Sequence, residues 1–128
     1  MRTGGCLCGE VRYRIEGPLG SIGACHCSQC RRSSGHFLAG VSVERENLAV
    51  DGAVAWYEST PGKVRRGFCP VCGSNLFWDR IAASYLDVWA GTLDDTRGLA
   101  LDGHIYVADK GDYYEIADGL PQYPAGRP

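Results

Sequence analysis

The stretch Cys69-Pro70-Val71-Cys72-Gly73 decides more of the fold than any other part of the chain. Strand-like residues lead into it over Lys63 to Phe68 and lead out of it over Asn75 to Asp79. Two cysteines separated by two residues hold their sulfur atoms at the short spacing that one tetrahedral metal ion needs, and a turn of this kind between strands is typical of a zinc knuckle. The pattern therefore predicts a β-hairpin whose turn supplies two metal ligands.

Two further cysteine clusters lie upstream of this turn. They are the pair Cys6 and Cys8 and the triplet Cys25, Cys27 and Cys30. CxC and CxxC steps suit metal binding, whereas disulfide geometry needs partners brought from elsewhere in the fold, and an odd total of seven cysteines does not suit a secreted disulfide framework. The clusters therefore favour metal binding over disulfides.

Seven ligands divide naturally into four and three. A structural zinc is bound by four protein ligands, and a reactive zinc keeps one position for water or substrate. The triplet Cys25, Cys27 and Cys30 is close enough to supply three ligands by itself. The remaining four cysteines would then join the N-terminal strand to the distant knuckle. Spacing alone does not fix this pairing, but the count predicts two zinc ions per chain, one structural and one functional.

Other arrangements of the triplet are compatible with the sequence. A histidine, His26, His36 or His104, could complete a second closed site, or the three thiols could form a zinc-free redox centre. His26 lies between two ligands, so its ring is expected to point away from the metal. His36 and His104 are candidate acid–base or substrate-binding groups.

Arg31 and Arg32 follow the triplet directly. They could pair with substrate carboxylates or offset the negative charge of the thiolates, and the alternative is a solvated turn.

Composition predicts one mainly β domain with little helix. The chain has 128 residues, of which 18 are glycine, about twice the usual share, and glycine at this level indicates many turns between short strands. We expect a single zinc-binding domain over 1–128, with a core of about 4–122 and a loose tail at 123–128.

Charge and hydropathy exclude several classes of partner. The formal net charge is −2 before any thiolate is counted, so no affinity for nucleic-acid phosphates is expected. No apolar run is long enough to cross a membrane, and Met1 to Gly5 runs straight into the first cysteine pair without a signal-like segment. These features predict a cytoplasmic, reducing location. The oligomeric state cannot be read from them.

Alternating and apolar segments bounded by turn residues predict the remaining elements. The strand Val11 to Ile15 is the clearest, and one short helical turn is expected within Ser28 to Ser34. Further strands are expected at Phe37 to Val43, at Asn47 to Val50 paired with Val54 to Ser59 around the turn Asp51-Gly52, at Tyr85 to Thr92 and at Ile105 to Ala108.

Three motifs in this order carry a specific family resemblance: Gly4 to Tyr13 (GGCLCGEVRY), Cys25 to Arg32 (CHCSQCRR) and Phe68 to Ser74 (FCPVCGS). They resemble the successive signatures of the glutathione-dependent formaldehyde-activating enzyme and centromere protein V family. His104-Ile105-Tyr106 with Lys110, and the segment Asp118 to Gln122, are similar to its later parts. The resemblance covers the chain from Gly4 to Gln122.

This resemblance implies a β-tent fold of antiparallel sheets held together by zinc. It also implies a structural zinc on Cys6, Cys8, Cys69 and Cys72 and a functional zinc on Cys25, Cys27 and Cys30. The activity for which the family is named adds formaldehyde to glutathione to give S-hydroxymethylglutathione, a carbon–sulfur lyase reaction. Many relatives have no assigned reaction.

An open zinc site with three thiolates suits a thiol substrate. Three thiolates leave Zn²⁺ with a net charge of −1, softer and less electrophilic than a zinc held by imidazoles. A thiol that loses its proton there becomes a nucleophile toward an aldehyde carbon. The expected partners are therefore a small-molecule thiol, glutathione or similar, and an aldehyde such as formaldehyde. The alternative function is a non-catalytic binding module in which both metals only shape a surface.

Overall fold

The computed structural model describes all residues, 1–128, and consists of ten strands in two sheets with one short α-helix. The smaller sheet contains β1 (Arg2–Gly5), β2 (Arg12–Ile15) and β5 (Leu48–Asp51), in the order β1-β2-β5. The helix, α1, spans Ser28–Ser34. The predicted mainly β fold with little helix is confirmed. None of the helices has the length and apolar character needed to cross a membrane.

The larger sheet has seven strands. In chain order they are β3 (Ile22–Cys25), β4 (Leu38–Glu44), β6 (Ala55–Thr60), β7 (Val64–Phe68), β8 (Asn75–Arg80), β9 (Tyr85–Trp89) and β10 (Leu101–Ile105). Their order across the sheet is β10-β3-β4-β9-β8-β7-β6. The predicted hairpin around the cysteine knuckle is confirmed as β7 and β8, which pair antiparallel.

The hydrophobic core lies where the two sheets pack. Tyr13 and Ile15 of β2 are buried while Arg12 and Arg14, which alternate with them, are exposed, as the predicted alternation requires. Tyr13 meets Phe77 of β8 edge to face, with ring centroids 5.7 Å apart. Further core residues come from both sheets and include Val11, Val41, Val43, Leu76, Leu86 and Val88. Each large side chain buried here contributes about 1.5–3 kcal/mol, which fixes one sheet on the other.

The predicted strand pair around Asp51-Gly52 is wrong. β5 pairs with β2 in the smaller sheet, and β6 pairs with β7 at the edge of the larger sheet. Gly52 has φ of 96° and lies against the backbone of Glu10, where a Cβ atom would come within 2.2 Å of the carbonyl oxygen. The turn therefore carries the chain from one sheet to the other. An Asp-Gly turn signal marks the reversal without showing which strands pair.

Two strand predictions in the C-terminal half need correction, as does the expectation of wholly antiparallel sheets. The strand predicted at Ile105 to Ala108 is β10 at Leu101–Ile105, because Tyr106 adopts a left-handed conformation (φ 56°) and Val107–Asp109 forms a 3-10 turn. The strand predicted at Tyr85 to Thr92 ends at Trp89, where another 3-10 turn begins. β10 also pairs with β3 in parallel, so the sheets are not wholly antiparallel.

The tail at 123–128, expected to be loose, is hydrogen-bonded in the structure. The backbone N–H of Tyr123 donates to the carbonyl of His104 (2.9 Å), and the N–H of Tyr106 donates to the carbonyl of Ala125 (3.0 Å). Arg127 forms an ion pair with Asp102 at 2.5 Å. The tail thus covers the outer edge of β10.

A buried carboxylate fixes the far end of the β8 strand. The Asp79 side chain is 1% exposed and pairs with Arg45 at 2.7 Å and with Arg65 at 2.8 Å. Burial by itself would raise the pKa of Asp79, but the two guanidinium groups outweigh it and the pKa lies below its usual value. The charged form is therefore part of the native structure.

We expect Asp79→Asn to lower the free energy of unfolding by about 2–4 kcal/mol, because it leaves both arginines without their anion. Since folding lowers the pKa of Asp79, the stabilisation is complete above about pH 5 and is lost as the pH falls through the pKa of the folded state. Urea denaturation at pH 7 measures the difference. Asp112→Asn, at an exposed residue, is the control, and equal stability of the two variants would contradict the role of Asp79.

Candidate functional site

Cys6, Cys8, Cys69 and Cys72 form one cluster, with all four sulfur atoms within 4.8 Å of one another. The sulfur of Cys8 lies 3.6 Å from that of Cys6 and 3.8 Å from that of Cys69. Zinc–sulfur bonds of about 2.3 Å in a tetrahedron place sulfur atoms about 3.8 Å apart, so the cluster fits a metal ion of this type. Cys6 and Cys8 follow β1, and the other two lie in the β7–β8 turn, so the cluster joins the two sheets.

Hydrogen-bond donors surround these sulfur atoms. The N–H of Val11 donates to Cys6 Sγ (3.3 Å), and the N–H groups of Val71 and Cys72 donate to Cys69 Sγ (3.4 and 3.5 Å). The Val11 donor lowers the pKa of Cys6, and the Ser74 hydroxyl, 3.2 Å from Cys72 Sγ, lowers the pKa of Cys72 to about 5. Donors of this kind favour thiolates, the form of cysteine that binds metals.

Cys25, Cys27 and Cys30 form the second cluster, again with their sulfur atoms within 4.8 Å. Cys25 ends β3 and Cys30 lies in α1. Cys27 is the N-cap of α1, with its sulfur accepting the N–H of Cys30 at 3.4 Å. Contacts from the Cys25 and Cys30 thiols lower the pKa of Cys27, and the same sharing with Cys27 raises that of Cys25. No histidine or carboxylate joins the three sulfur atoms.

A cleft of about 980 Å³ opens over the three-cysteine cluster. Trp78 and Trp89 lie along it, together with the charged residues Arg66, Arg80 and Asp87. Arg80 lies beside the Trp78 ring at 5.6 Å and forms no ion pair within the chain. The three sulfur atoms therefore face a space of ligand size that is lined by aromatic and charged groups.

The structure does not bring the four predicted substrate-binding residues to this cleft. Arg31, Arg32, His36 and His104 are all absent from its lining. Arg32 and His36 are exposed, and the His36 ring contacts the hydroxyl of Tyr113. His104 is buried on β10, where it lies opposite Ala24 of β3, the strand that ends at Cys25.

His26 and His104, both buried, belong to a chain of hydrogen bonds that ends at the exposed residue Asp118. Asp118 lies 2.7 Å from His104 Nε2, His104 Nδ1 lies 2.9 Å from His26 Nε2, and His26 Nδ1 lies 2.6 Å from the Tyr114 hydroxyl. Since a carboxylate only accepts, His104 Nε2 donates to Asp118, and with a neutral His26 ring the remaining protons run from Tyr114 through His26 toward His104. Burial lowers the pKa of His26 to about 4, in agreement with a neutral ring. All four ring nitrogens are thus occupied by this network.

We expect His104→Ala to lower the free energy of unfolding by about 2–4 kcal/mol, because it leaves His26 Nε2 without its acceptor and opens a cavity. The metal content of the purified protein should not change, since His104 is bonded to His26 and Asp118 and not to a cysteine cluster. Thermal unfolding and metal analysis measure the two effects. Loss of one metal ion per chain would instead make His104 a ligand.

Arg66 is the functional candidate that the sequence did not reveal. It lies on β7, and its guanidinium nitrogens reach Cys30 Sγ at 3.6 and 3.7 Å. The two residues are 36 positions apart, and only the order of strands in the sheet brings them together. No motif or spacing in the sequence signals this contact.

The family of this chain is identified by its similarity to known proteins. The family model for "Glutathione-dependent formaldehyde-activating enzyme" matches residues 1–109, which contain all seven cysteines. The chain belongs to this family. A curated relative from Halomonas elongata, named "Putative glutathione-dependent formaldehyde-activating enzyme", is 29% identical over 129 residues, 91% of this chain and 81% of the relative.

A solved structure supports the fold. The crystal structure of a Rhodobacter sphaeroides protein matches with a TM-score of 0.62 at 23% identity, over 77% of this chain and 98% of the other. This match supports the fold alone, whereas the family model over residues 1–109 confirms the resemblance to the glutathione-dependent formaldehyde-activating enzyme family seen in the cysteine motifs.

Proposed function

We propose that this protein is a zinc-dependent enzyme of the carbon–sulfur lyase type, which joins a small-molecule thiol to an aldehyde or catalyses the reverse. The observation that carries the proposal is the cluster of Cys25, Cys27 and Cys30, which has no fourth protein ligand and faces a cleft. Membership of the formaldehyde-activating family supports glutathione and formaldehyde as the substrate pair. The seven free thiols suit a reducing, cytoplasmic location.

The two clusters would hold two zinc ions with different tasks. Cys6, Cys8, Cys69 and Cys72 supply four ligands and would hold a structural ion, whereas Cys25, Cys27 and Cys30 supply three and would hold the functional one. An ion held by Cys25, Cys27 and Cys30 would supply a coordination position for a substrate thiol and would lower the pKa of that thiol. All seven donors are cysteine sulfurs, a set that suits zinc.

The residues of the cleft would bind and orient the substrates. Arg80 forms no direct ion pair in the chain, although its charge acts on Asp87 in the same cleft. Its guanidinium donors are therefore open to a carboxylate of the thiol substrate, in place of the predicted Arg31 and Arg32. Trp78 and Trp89 provide apolar walls that limit water near the sulfur atoms.

Addition of the thiol to the aldehyde needs no oxidant and no further reactant. The substrate sulfur forms a bond to the aldehyde carbon, the carbonyl π bond breaks, and the proton released by the thiol ends on the new hydroxyl oxygen. The product is a hemithioacetal, which is S-hydroxymethylglutathione for glutathione and formaldehyde. Holding the sulfur and the carbonyl together contributes to the rate through proximity.

Exchange spectroscopy by NMR on an equilibrium mixture of glutathione and formaldehyde tests the proposal, because it reports the rate of interconversion directly. Zinc-loaded wild-type protein should accelerate the exchange, and Cys27→Ser at the same concentration should not. Equal exchange rates with the two proteins would remove the proposed reaction and favour the non-catalytic binding module.

A further inference from the structure

Arg66 is a buried cation that lacks a carboxylate partner. Its residue is 8% exposed, and five other arginines, Arg12, Arg45, Arg65, Arg97 and Arg127, form ion pairs with aspartates. The Arg66 guanidinium instead contacts Cys30 Sγ (3.6 and 3.7 Å), Gln29 Oε1 (3.4 Å) and Ser33 Oγ (3.5 Å). Cys30 is the only one of these partners that can carry a negative charge.

Burial of a guanidinium is costly unless an anion compensates it, and an arginine does not lose its proton in a protein. The sulfur of Cys30, which is a thiolate when it binds a metal ion, is the group positioned to compensate Arg66. The position of Arg66 is fixed by the sheet, since β7 is paired on both sides and Arg66 lies opposite Tyr57 of β6 and Trp78 of β8. The positive charge is thus held in place beside the three-cysteine cluster and along the wall of its cleft.

We propose that Arg66 is a specificity-determining residue that makes the three-cysteine cluster accept an anionic sulfur ligand in preference to a neutral one. The inference rests on the proposed function of that cluster. Three thiolates and a divalent cation leave a net charge of −1, which repels a second anion. The charge of Arg66 brings the sum to zero, so that a bound thiolate lowers the total only to −1 and not to −2.

The expected size of this effect follows from Coulomb's law. Two unit charges about 6 Å apart at an effective dielectric constant of about 20 change a binding constant roughly 10- to 100-fold. A neutral ligand such as imidazole does not experience this difference. The ratio of the two affinities therefore isolates the charge of Arg66 from any general change in the site.

The probe ligands are 2-mercaptoethanol, which binds as a thiolate and releases its proton to the solvent, and imidazole, which binds neutral. Titration of Co²⁺-loaded protein at fixed pH, followed by visible absorption, gives both dissociation constants. Arg66→Met should weaken 2-mercaptoethanol binding roughly 10- to 100-fold and imidazole binding less than about threefold. Arg66→Lys, which keeps the charge, should retain more of the thiolate preference than Arg66→Met does.

Arg32→Met is the matched control, because it removes an exposed cation two residues from Cys30 that does not line the cleft. Since solvent screens an exposed charge, it should change both constants less than about threefold. Where Arg66→Met does not hold Co²⁺, Arg66→Gln, which keeps hydrogen-bond donors without the charge, takes its place with the same expectation.

The possible results distinguish a failure of the role proposed for Arg66 from a failure of the proposed function. Equal weakening of both ligands, or undiminished 2-mercaptoethanol binding by the neutral Arg66 variants, would overturn the role of Arg66 and leave the proposed function standing. If the wild-type protein itself takes up no 2-mercaptoethanol, the site is closed, and the proposed function fails together with the inference.

Discussion

Cys69→Ser should abolish cooperative folding at 25 °C and remove the structural metal ion. Cys69 is fully buried and belongs both to the hydrophobic core and to the four-cysteine cluster that joins the two sheets. Zinc binding by such a site releases about 10 kcal/mol or more, comparable with the whole stability of a small domain at about 5–15 kcal/mol. Circular dichroism during thermal unfolding, together with native mass spectrometry, measures both losses.

Val71→Ser is the control for this variant, because Val71 lies in the same turn but its side chain is 69% exposed. Its melting temperature should stay within about 3 °C of the wild type, and it should keep both ions. A cooperatively folded Cys69→Ser protein with a melting temperature near that of the wild type would contradict the structural role of the cluster.

Cys27→Ser should lose one metal ion and at least about 10³-fold in rate while remaining folded. Cys27 is half-buried at the start of α1, on the wall of the cleft, and does not belong to the core between the sheets. Its loss removes one of three ligands and with it the activation of the substrate thiol, an effect of the size seen when catalytic metals are removed. Native mass spectrometry and the glutathione–formaldehyde exchange rate are the measurements.

The contrast between the two cysteine variants tests the division of the ligands into four and three. Circular dichroism of Cys27→Ser should match that of the wild type, and Val71→Ser again serves as the control that keeps both ions. If Cys27→Ser unfolds as completely as Cys69→Ser, both clusters are structural and the proposed division is wrong.

The parts of the fold that local sequence determines could be predicted. The strand at Arg12–Ile15 follows from its alternation, and the β7–β8 hairpin follows from the CxxC turn between two strand-like segments. Strand pairing beyond a turn could not be predicted at Asp51-Gly52, because the same residues serve a hairpin and a crossover between sheets. The parallel pairing of β3 with β10 likewise depends on contacts far apart in the chain.

In the candidate site, too, the features set by local sequence could be predicted, and the contacts between distant residues could not. The cysteine clusters could be predicted, because CxC and CxxC spacings act locally, and counting ligands gave the grouping that the structure brings together. Arg31 and Arg32 were expected beside the sulfur atoms because they follow Cys30 in sequence. In a helix each successive residue turns by about 100°, so neighbours of a buried residue face other directions. Arg66 of β7, and not a residue of α1, lies next to the Cys30 sulfur.

Metal analysis combined with X-ray absorption on fresh, anaerobically purified protein tests the central claim most directly. The account predicts two zinc ions per chain, an average of 3.5 sulfur ligands per zinc from the seven cysteines, and a light ligand that an added thiol replaces. A single tightly bound zinc with Cys25, Cys27 and Cys30 free of metal would contradict it.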